Sequence, residues 1–266
     1  MPYKFVSYII GHMYTDIKTI EDLSLNAWPS FQMQVYDGWI MRYSGFYTHR
    51  TNCVEQIGAS ILPLGEKIPY CERIYRRWRT PCIFKITPVT DPALDGLLAA
   101  RGYSIEHRVN NMTADISRLP ASFENEPLLP LTVEDRVSAE WIEGLFTLKG
   151  TTDPLHRAIV PGMYAAIPMD ETAVSLRLPD GSVGATGLGI LDRDYIGVYA
   201  IHVREDLRRR GLAAAIVQRI LTEGRRRGAT RAYLQVVADN MPAKNLYRKL
   251  GFKDGHADWF RVKYDV

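Results

Sequence analysis

The stretch DLRRRGLAAAIVQRIL, Asp206 to Leu221, constrains this chain more than any other. It lies just after the apolar run YIGVYAIHV, which ends at Val203 and reads as a strand. After that strand come a short polar turn and a helix beginning at Gly211. In such a strand–turn–helix unit the first helical amides lack intrahelical partners and sit at the positive end of the helix dipole. They suit an anion. Gly211 lets a ligand approach the backbone without a Cβ in the way. Ala213, Ala214 and Ala215 keep the first turn open, and the Arg208, Arg209 and Arg210 forks match phosphate oxygens. Taken alone, the arginines suit three roles: a nucleic-acid contact, a solvated helix start, or the cradle of a smaller phosphate ligand.

The residues downstream narrow the choice. No Gly-Lys-Ser/Thr is present, so the turn is not of the Walker type. No acidic residue comes after a second strand as a dinucleotide fold requires. Instead a strand, TRAYLQVVA, leads to Asn240, a helix bearing Tyr247, and Gly251-Phe252. Together these resemble the GNAT N-acetyltransferase superfamily. Its acetyl-CoA loop, Gln/Arg-x-x-Gly-x-Gly/Ala, is matched by Arg208, Gly211 and Ala213. Its later element, Asn-x-x-Ala-x-x-Leu-Tyr-x-x-x-Gly-Phe, is matched by Asn240, Ala243, Leu246, Tyr247, Gly251 and Phe252. The match spans roughly residues 132 to 266.

The resemblance implies an α+β GNAT fold with a mixed, mostly antiparallel central sheet flanked by helices. It implies acetyl-CoA as cosubstrate, a primary amine of a small molecule or peptide as acceptor, and no metal. Loop amides from Arg209 through Gly211, Leu212 and Ala213 to Ala214 would hold the pyrophosphate, helped by Arg208 and Arg210. Main-chain groups of Ile201, His202 and Val203 would pair with the pantetheine arm, and Asn240 would contact the same arm. Tyr247 would protonate the departing thiolate or donate a hydrogen bond to it. Where some relatives carry a glutamate, Gly197 stands. Asp192, Asp194, Tyr199 and His202 are the nearby polar groups, and no base is assigned among them. Strand alternation puts Tyr199 and His202 on opposite faces unless a bulge shifts the parity.

Proline-bearing SRLPASFENEPLLPLT (Ser117 to Thr132) reads as a linker, setting domains at 1–118 and 132–266 with 119–131 between. In the second half the pattern predicts a helix over Val133–Phe146, three strands broken at Pro179-Asp180-Gly181 and Asp192-Arg193-Asp194, a helix from Gly211 to Arg227, and a closing strand, DWFRVKY. The first half echoes this order. It has a helix in TIEDLSLNAW, a hairpin turning at Asp37-Gly38, a helix in EKIPYCERIYRRW, a strand in PCIFKITP and a helix in DPALDGLLAARGY. Asp91, Leu97, Gly102 and Tyr103 repeat the spacing of Asn240, Leu246, Gly251 and Phe252, which points to an internal duplication. Leu98 stands where Tyr247 stands, and no arginine–glycine loop precedes the first-half helix. The first half is therefore expected to be degenerate, serving support and substrate selection. The aromatic residues Trp28, Phe31, Tyr36 and Trp39 are expected to be mostly core, with Trp28 and Trp39 the candidates to line a cleft, and the polar run His49 to Asn52 is either an ordinary turn or a face of that cleft.

The 266-residue chain carries 33 Lys+Arg against 30 Asp+Glu, a net +3 that gives no nucleic-acid coat. Acidic Glu205, Asp206 and Glu223 among the arginines argue the same way. No apolar run is long enough to span a membrane, and the first residues read as a fold element, not an export signal. Cys53, Cys71 and Cys82 form no CxxC pair, so neither a disulfide framework nor a zinc site is expected, and a reducing cytoplasm is the natural setting. Against the enzyme stand a nucleic-acid module and a GNAT-fold CoA sensor without turnover. Stabilisation by acetyl-CoA separates the nucleic-acid module from the other two, and thiol release separates the sensor from the enzyme. Oligomeric state is not legible.

Overall fold

The computed structural model describes residues 16–118 and 131–266. Of the expected linker only Leu131 lies among them; the rest of 119–131 is outside the described residues. The chain forms two compact units that do not follow the sequence halves. One holds the described residues up to Asn110 with Val237–Asp239 and His256–Val266; the other holds those of Asn111–Val236 with Asn240–Gly255.

In chain order the first elements are α1 (residues 16–27), β1 (Gln32–Tyr36), β2 (Trp39–Tyr43), β3 (Val54–Gln56), α2 (Leu64–Trp78), β4 (Cys82–Ile86), α3 (Leu94–Ala100) and β5 (Ser104–Asp115). The β1–β2 hairpin turns where expected. Asp37 and Gly38 both take positive φ, 44° and 75°, as a tight primed turn requires. β2 continues antiparallel to β3, and β3 pairs parallel with β4. α2 packs Ile68, Cys71 and Tyr75 onto Trp39, Met41 and Phe84. Trp39 is thus core, capped by the Lys67 ammonium 3.8 Å above its ring, and is not a cleft residue. Asn52 is buried as well. Its Oδ1 accepts from Ser44 N and Phe46 N at 2.7 and 2.9 Å, which fixes the turn before β3.

The remaining elements are β6 (Leu131–Glu134), α4 (Ala139–Lys149), α5 (Pro154–Ala165), β7 (Asp170–Arg177), β8 (Val183–Asp192), β9 (Tyr195–Val203), α6 (Leu212–Arg226), β10 (Arg231–Val237), α7 (Met241–Lys249) and β11 (Lys253–Lys263). The helix expected from Val133 starts later. Leu131–Glu134 pair antiparallel with β7, and Ser138 then caps α4 by accepting from Trp141 N. α5, missed in the sequence, is started by the Asp153 cap and Pro154. β6, β7, β8 and β9 form an antiparallel run, and β10 joins β9 in parallel.

α6 lies close on this sheet because glycines leave room. A Cβ on Gly187 would stand 2.3 Å from Ile216, and one on Gly189 2.7 Å from Ile220. On the helix side, a Cβ on Gly224 would meet Ile196 at 2.9 Å. Ile216, Val217, Ile220 and Leu221 bury there against Val174, Ile196 and Val198.

Among the described residues, α3, α4, α6 and α7 all end on a positive-φ glycine with one C-terminal geometry, as α3 and α7 show. Gly102 N bonds Ala99 O and Tyr103 N bonds Leu98 O; Gly251 N bonds Arg248 O and Phe252 N bonds Tyr247 O. Both glycines have positive φ, 82° and 91°.

Candidate active site

The site begins with an irregularity in β9. Leu188 faces Tyr199 and Thr186 faces His202, so β8 advances by two residues while β9 advances by three. The extra residue makes a bulge at Ala200, whose φ is +50°. Because Leu188 and Thr186 share a face of β8, Tyr199 and His202 come to share a face too, reversing plain alternation.

Beyond the same point β9 loses its other neighbour. β10 pairs with β9 from Arg231↔Tyr195 to Leu234↔Val198 and no further. Among the described residues, the β10-side main chain of Ala200–Val203 has no strand partner. The side chains of Ile201 and Val203 pack against the core, so these residues offer a ligand their backbone.

Past β9, a 3-10 turn at Glu205–Leu207 leads to Arg208, and Arg209 and Gly211 take φ of +63° and +79° before α6 starts. A Cβ on Gly211 would meet nothing within 4 Å, so glycine is needed there for its dihedral. Arg208 N donates to Glu205 O at 3.2 Å and Ala215 N to Gly211 O at 3.0 Å. Among the described residues, no protein acceptor faces the amides between them, from Arg209 to Ala214. The contrast with α4, α5 and α7 is direct: Ser138, Asp153 and Asn240 cap those helices with their own side chains, and α6 has no such cap. Arg208, Arg209 and Arg210 are exposed around these amides, Arg208 Nε reaching Val203 O at 3.3 Å. Leu212 belongs to the core through its side chain, leaving its amide for the loop.

Asn240 caps α7, its Oδ1 accepting from Ala243 N at 3.2 Å. Further along the same helix Tyr247 is buried, its ring edge-on to Phe252 at 6.0 Å. Burial pushes its phenol up to about 12, so it stays a proton donor through the neutral range.

On the face shared by Tyr199 and His202, the Tyr199 hydroxyl donates to the Tyr233 hydroxyl at 2.6 Å. Gly197 lies opposite both Ile190 and Tyr233. A Cβ there would fall 2.6 Å from the Tyr199 ring and 2.7 Å from the Tyr233 ring, so the tyrosine pair requires glycine at this position. His202 is pushed down to about 4, first by burial and then by the Lys149 and Arg208 charges, and its imidazole is neutral at pH 7. Neither the tyrosine pair nor its need for Gly197 was legible in the sequence; the pairing depends on the β9–β10 register.

The comparisons with known proteins agree with this geometry. Residues 14–261 match the family model described as "Probable histone acetyltransferase Rv0428c C-terminal". The chain is 26% identical over 249 residues to the uncharacterized N-acetyltransferase YobR of Bacillus subtilis, covering 93% of this chain and 99% of that protein. Its fold is similar to a GCN5-related N-acetyltransferase from Kribbella flavida, with a TM-score of 0.66, 17% identity, and coverage of 93% and 95% of the two chains. It is also similar to a tandem GNAT protein from the clavulanic acid biosynthesis pathway, with a TM-score of 0.58, 13% identity, and coverage of 79% and 75%. With the family model spanning nearly the whole chain, this protein belongs to the Rv0428c acetyltransferase C-terminal family, and its fold is that of the GCN5-related N-acetyltransferases.

Proposed function

We propose that this protein transfers the acetyl group of acetyl-CoA to a primary amine by direct attack. The observation that carries the reading is the set of uncapped amides from Arg209 to Ala214, opening beside the Ala200–Val203 segment that β10 does not pair among the described residues. The amides and the α6 dipole take the pyrophosphate, and Arg208, Arg209 and Arg210 neutralise it. The backbone of Ile201, His202 and Val203 extends the β-ladder to the pantetheine amides. Asn240, its Oδ1 held by the cap, turns its Nδ2 to the same arm.

Acetyl-CoA supplies an activated thioester carbonyl. The amine nitrogen bonds to that carbon, the carbon–sulfur bond breaks, and Tyr247 gives its proton or a hydrogen bond to the sulfur. The proton that nitrogen releases passes through water, so that the thiol leaves protonated and Tyr247 ends neutral. His202, neutral at pH 7, serves as hydrogen-bond acceptor on the face it shares with Tyr199. The acceptor class is an amine of a small molecule or of a peptide. The family's histone acetyltransferase description makes a protein lysine one acceptor to test.

Thermal shift with acetyl-CoA, followed by thiol release across a panel of amines and lysine peptides, tests the proposal. Stabilisation with amine-dependent thiol release is the expected result. Stabilisation with no release for any amine would leave a CoA sensor, and no stabilisation at millimolar acetyl-CoA would remove the cosubstrate reading altogether.

A further inference from the structure

The turn that comes after β2 places His49 beside two residues of β5, and the three form a second constellation, within the other unit. His49 Nε2 lies 3.2 Å from Glu106 Oε2, and the His49 and His107 rings meet edge to face with centroids 4.3 Å apart. Donor atoms of His49, Glu106 and His107 all lie within 4.8 Å of one another.

Successive residues of a regular strand point to opposite faces, so Glu106 and His107 should not both reach His49. They do because His107 adopts φ +47°, a left-handed conformation inside β5 that breaks the alternation. A bulky residue seldom takes that conformation without compensation.

We propose that His49, Glu106 and His107 form a binding site for a divalent transition-metal ion of the zinc class, with water completing its coordination. Two imidazoles and one carboxylate are a donor set that such borderline ions favour. Donors on one tetrahedral ion with bonds near 2.0–2.1 Å stand about 3.3 Å apart. His49 and Glu106 already have that separation, and His107, being exposed, closes the remainder by side-chain rotation.

The surroundings are those of a held ligand set. Glu106 accepts from the Tyr264 hydroxyl at 3.1 Å, an outer-sphere bond that orients the carboxylate. Phe46 and Phe260 flank the His49 ring at 5.4 and 5.5 Å. The His49 turn is rigid, since buried Asn52 bonds Ser44 N, Phe46 N and Thr48 O.

The other constellation of this kind, Glu21, His256 and Asp258, has its cation built in. Lys85 Nζ makes an ion pair with Glu21 and stands 3.3 and 3.7 Å from Glu55 and Asp258. An added divalent ion there would confront that ammonium. The absence of a cysteine pair, which argued against zinc at the sequence level, has no bearing on a histidine–carboxylate site.

The test uses the full-length, tag-free chain stripped with EDTA. It is titrated with ZnCl2 by calorimetry and with CoCl2 by visible absorption. The expected result is one Zn2+ per chain and cobalt d–d bands. His49→Ala and His107→Asn should each weaken binding at least ~100-fold, and Tyr264→Phe about tenfold. Asn tolerates the left-handed backbone, so His107→Asn keeps the fold of β5, which an unchanged thermal midpoint of the stripped protein verifies. Absence of zinc uptake by the unsubstituted chain would overturn the site. So would uptake of unchanged affinity by the His49→Ala/His107→Asn double variant.

Discussion

The hydroxyl of Thr186 donates to the carbonyl oxygen of Ala200 at 3.1 Å, tying β8 to β9 where the second strand gains its extra residue. Thr186 is fully buried, and its bond occupies a carbonyl that the bulge has taken out of the ladder. Thr186→Val keeps the shape and deletes the donor. It should cost about 1–3 kcal/mol of stability. If the bulge presents the cosubstrate strand, the variant should also raise KM for acetyl-CoA while kcat stays within about threefold. Steady-state kinetics with a denaturant melt check both. A destabilised variant with unchanged KM would confine the bulge to a structural role.

Gly211 stands in open space with a left-handed backbone, so its substitution isolates a dihedral effect. Gly211→Ala should introduce about 1–2 kcal/mol of strain and relax by turning the loop amides away. Acetyl-CoA affinity would then fall up to ~10-fold. Gly211→Asn, which tolerates left-handed φ, should recover most of that loss in calorimetry. Equal weakening by both variants would place the cause in side-chain bulk.

Tyr247→Phe retains the ring that packs on Phe252 and removes the proton. A fall in kcat of about 100-fold with acetyl-CoA Kd unchanged is expected. With the phenol pushed up to about 12, this group should add no alkaline fall in kcat across the neutral range. A variant as fast as the parent would assign the acid role elsewhere.

The buried group around Lys85 governs stability against pH. Burial pushes Glu55 up to about 7 against the pull of Lys85 and Arg42, with Glu21 pressing the same way as burial. Glu21 is held at about 2: burial opposes its charge, but Lys85 and the His256 hydrogen bond outweigh it. Asp258 faces the same ammonium from β11. Between the ordinary value of 4.5 and 7, the folded chain keeps a proton on Glu55 that the unfolded chain releases, so stability falls as pH rises through that window. The Glu21 contribution has the opposite sign, present above 4.5 and lost as pH falls toward 2. Glu55→Gln mimics the protonated form. It should flatten the decline between pH 5 and 7 and add on the order of 2 kcal/mol at pH 8, read by urea melts across pH. A parallel decline in the variant would trace the pH dependence to another group.

The strand–turn–helix unit proposed to hold acetyl-CoA was legible as structure because its information is local. Gly211, the alanines behind it, Asn240 and Tyr247 lie within two strand–turn–helix units, and each unit folded where its residues placed it. The hairpin at Asp37-Gly38 was legible for the same reason. The Lys85 group was not, since Glu21, Glu55, Lys85 and Asp258 come from separate elements and meet only once the sheet has formed. The bulge at Ala200 escaped because an alanine with positive φ has no sequence signature; only its effect on parity could be anticipated. The aromatic stretch was legible as core through its composition, and Trp39 is buried there, which removes it from the cleft alternative, while Trp28 donates to Thr48 at 3.4 Å.

The distribution of the chain between its two units bears on how such a gene can be cut. The polypeptide leaves the first unit after Asn110 and returns for Val237–Asp239 and again for His256–Val266. A break placed between the sequence halves would strand Asn111 to Arg118 with the wrong fragment, and the closing residues of β11 likewise. Each piece would lack strand residues that its own unit uses. The spacing shared by the two sequence halves therefore does not mark where the units divide.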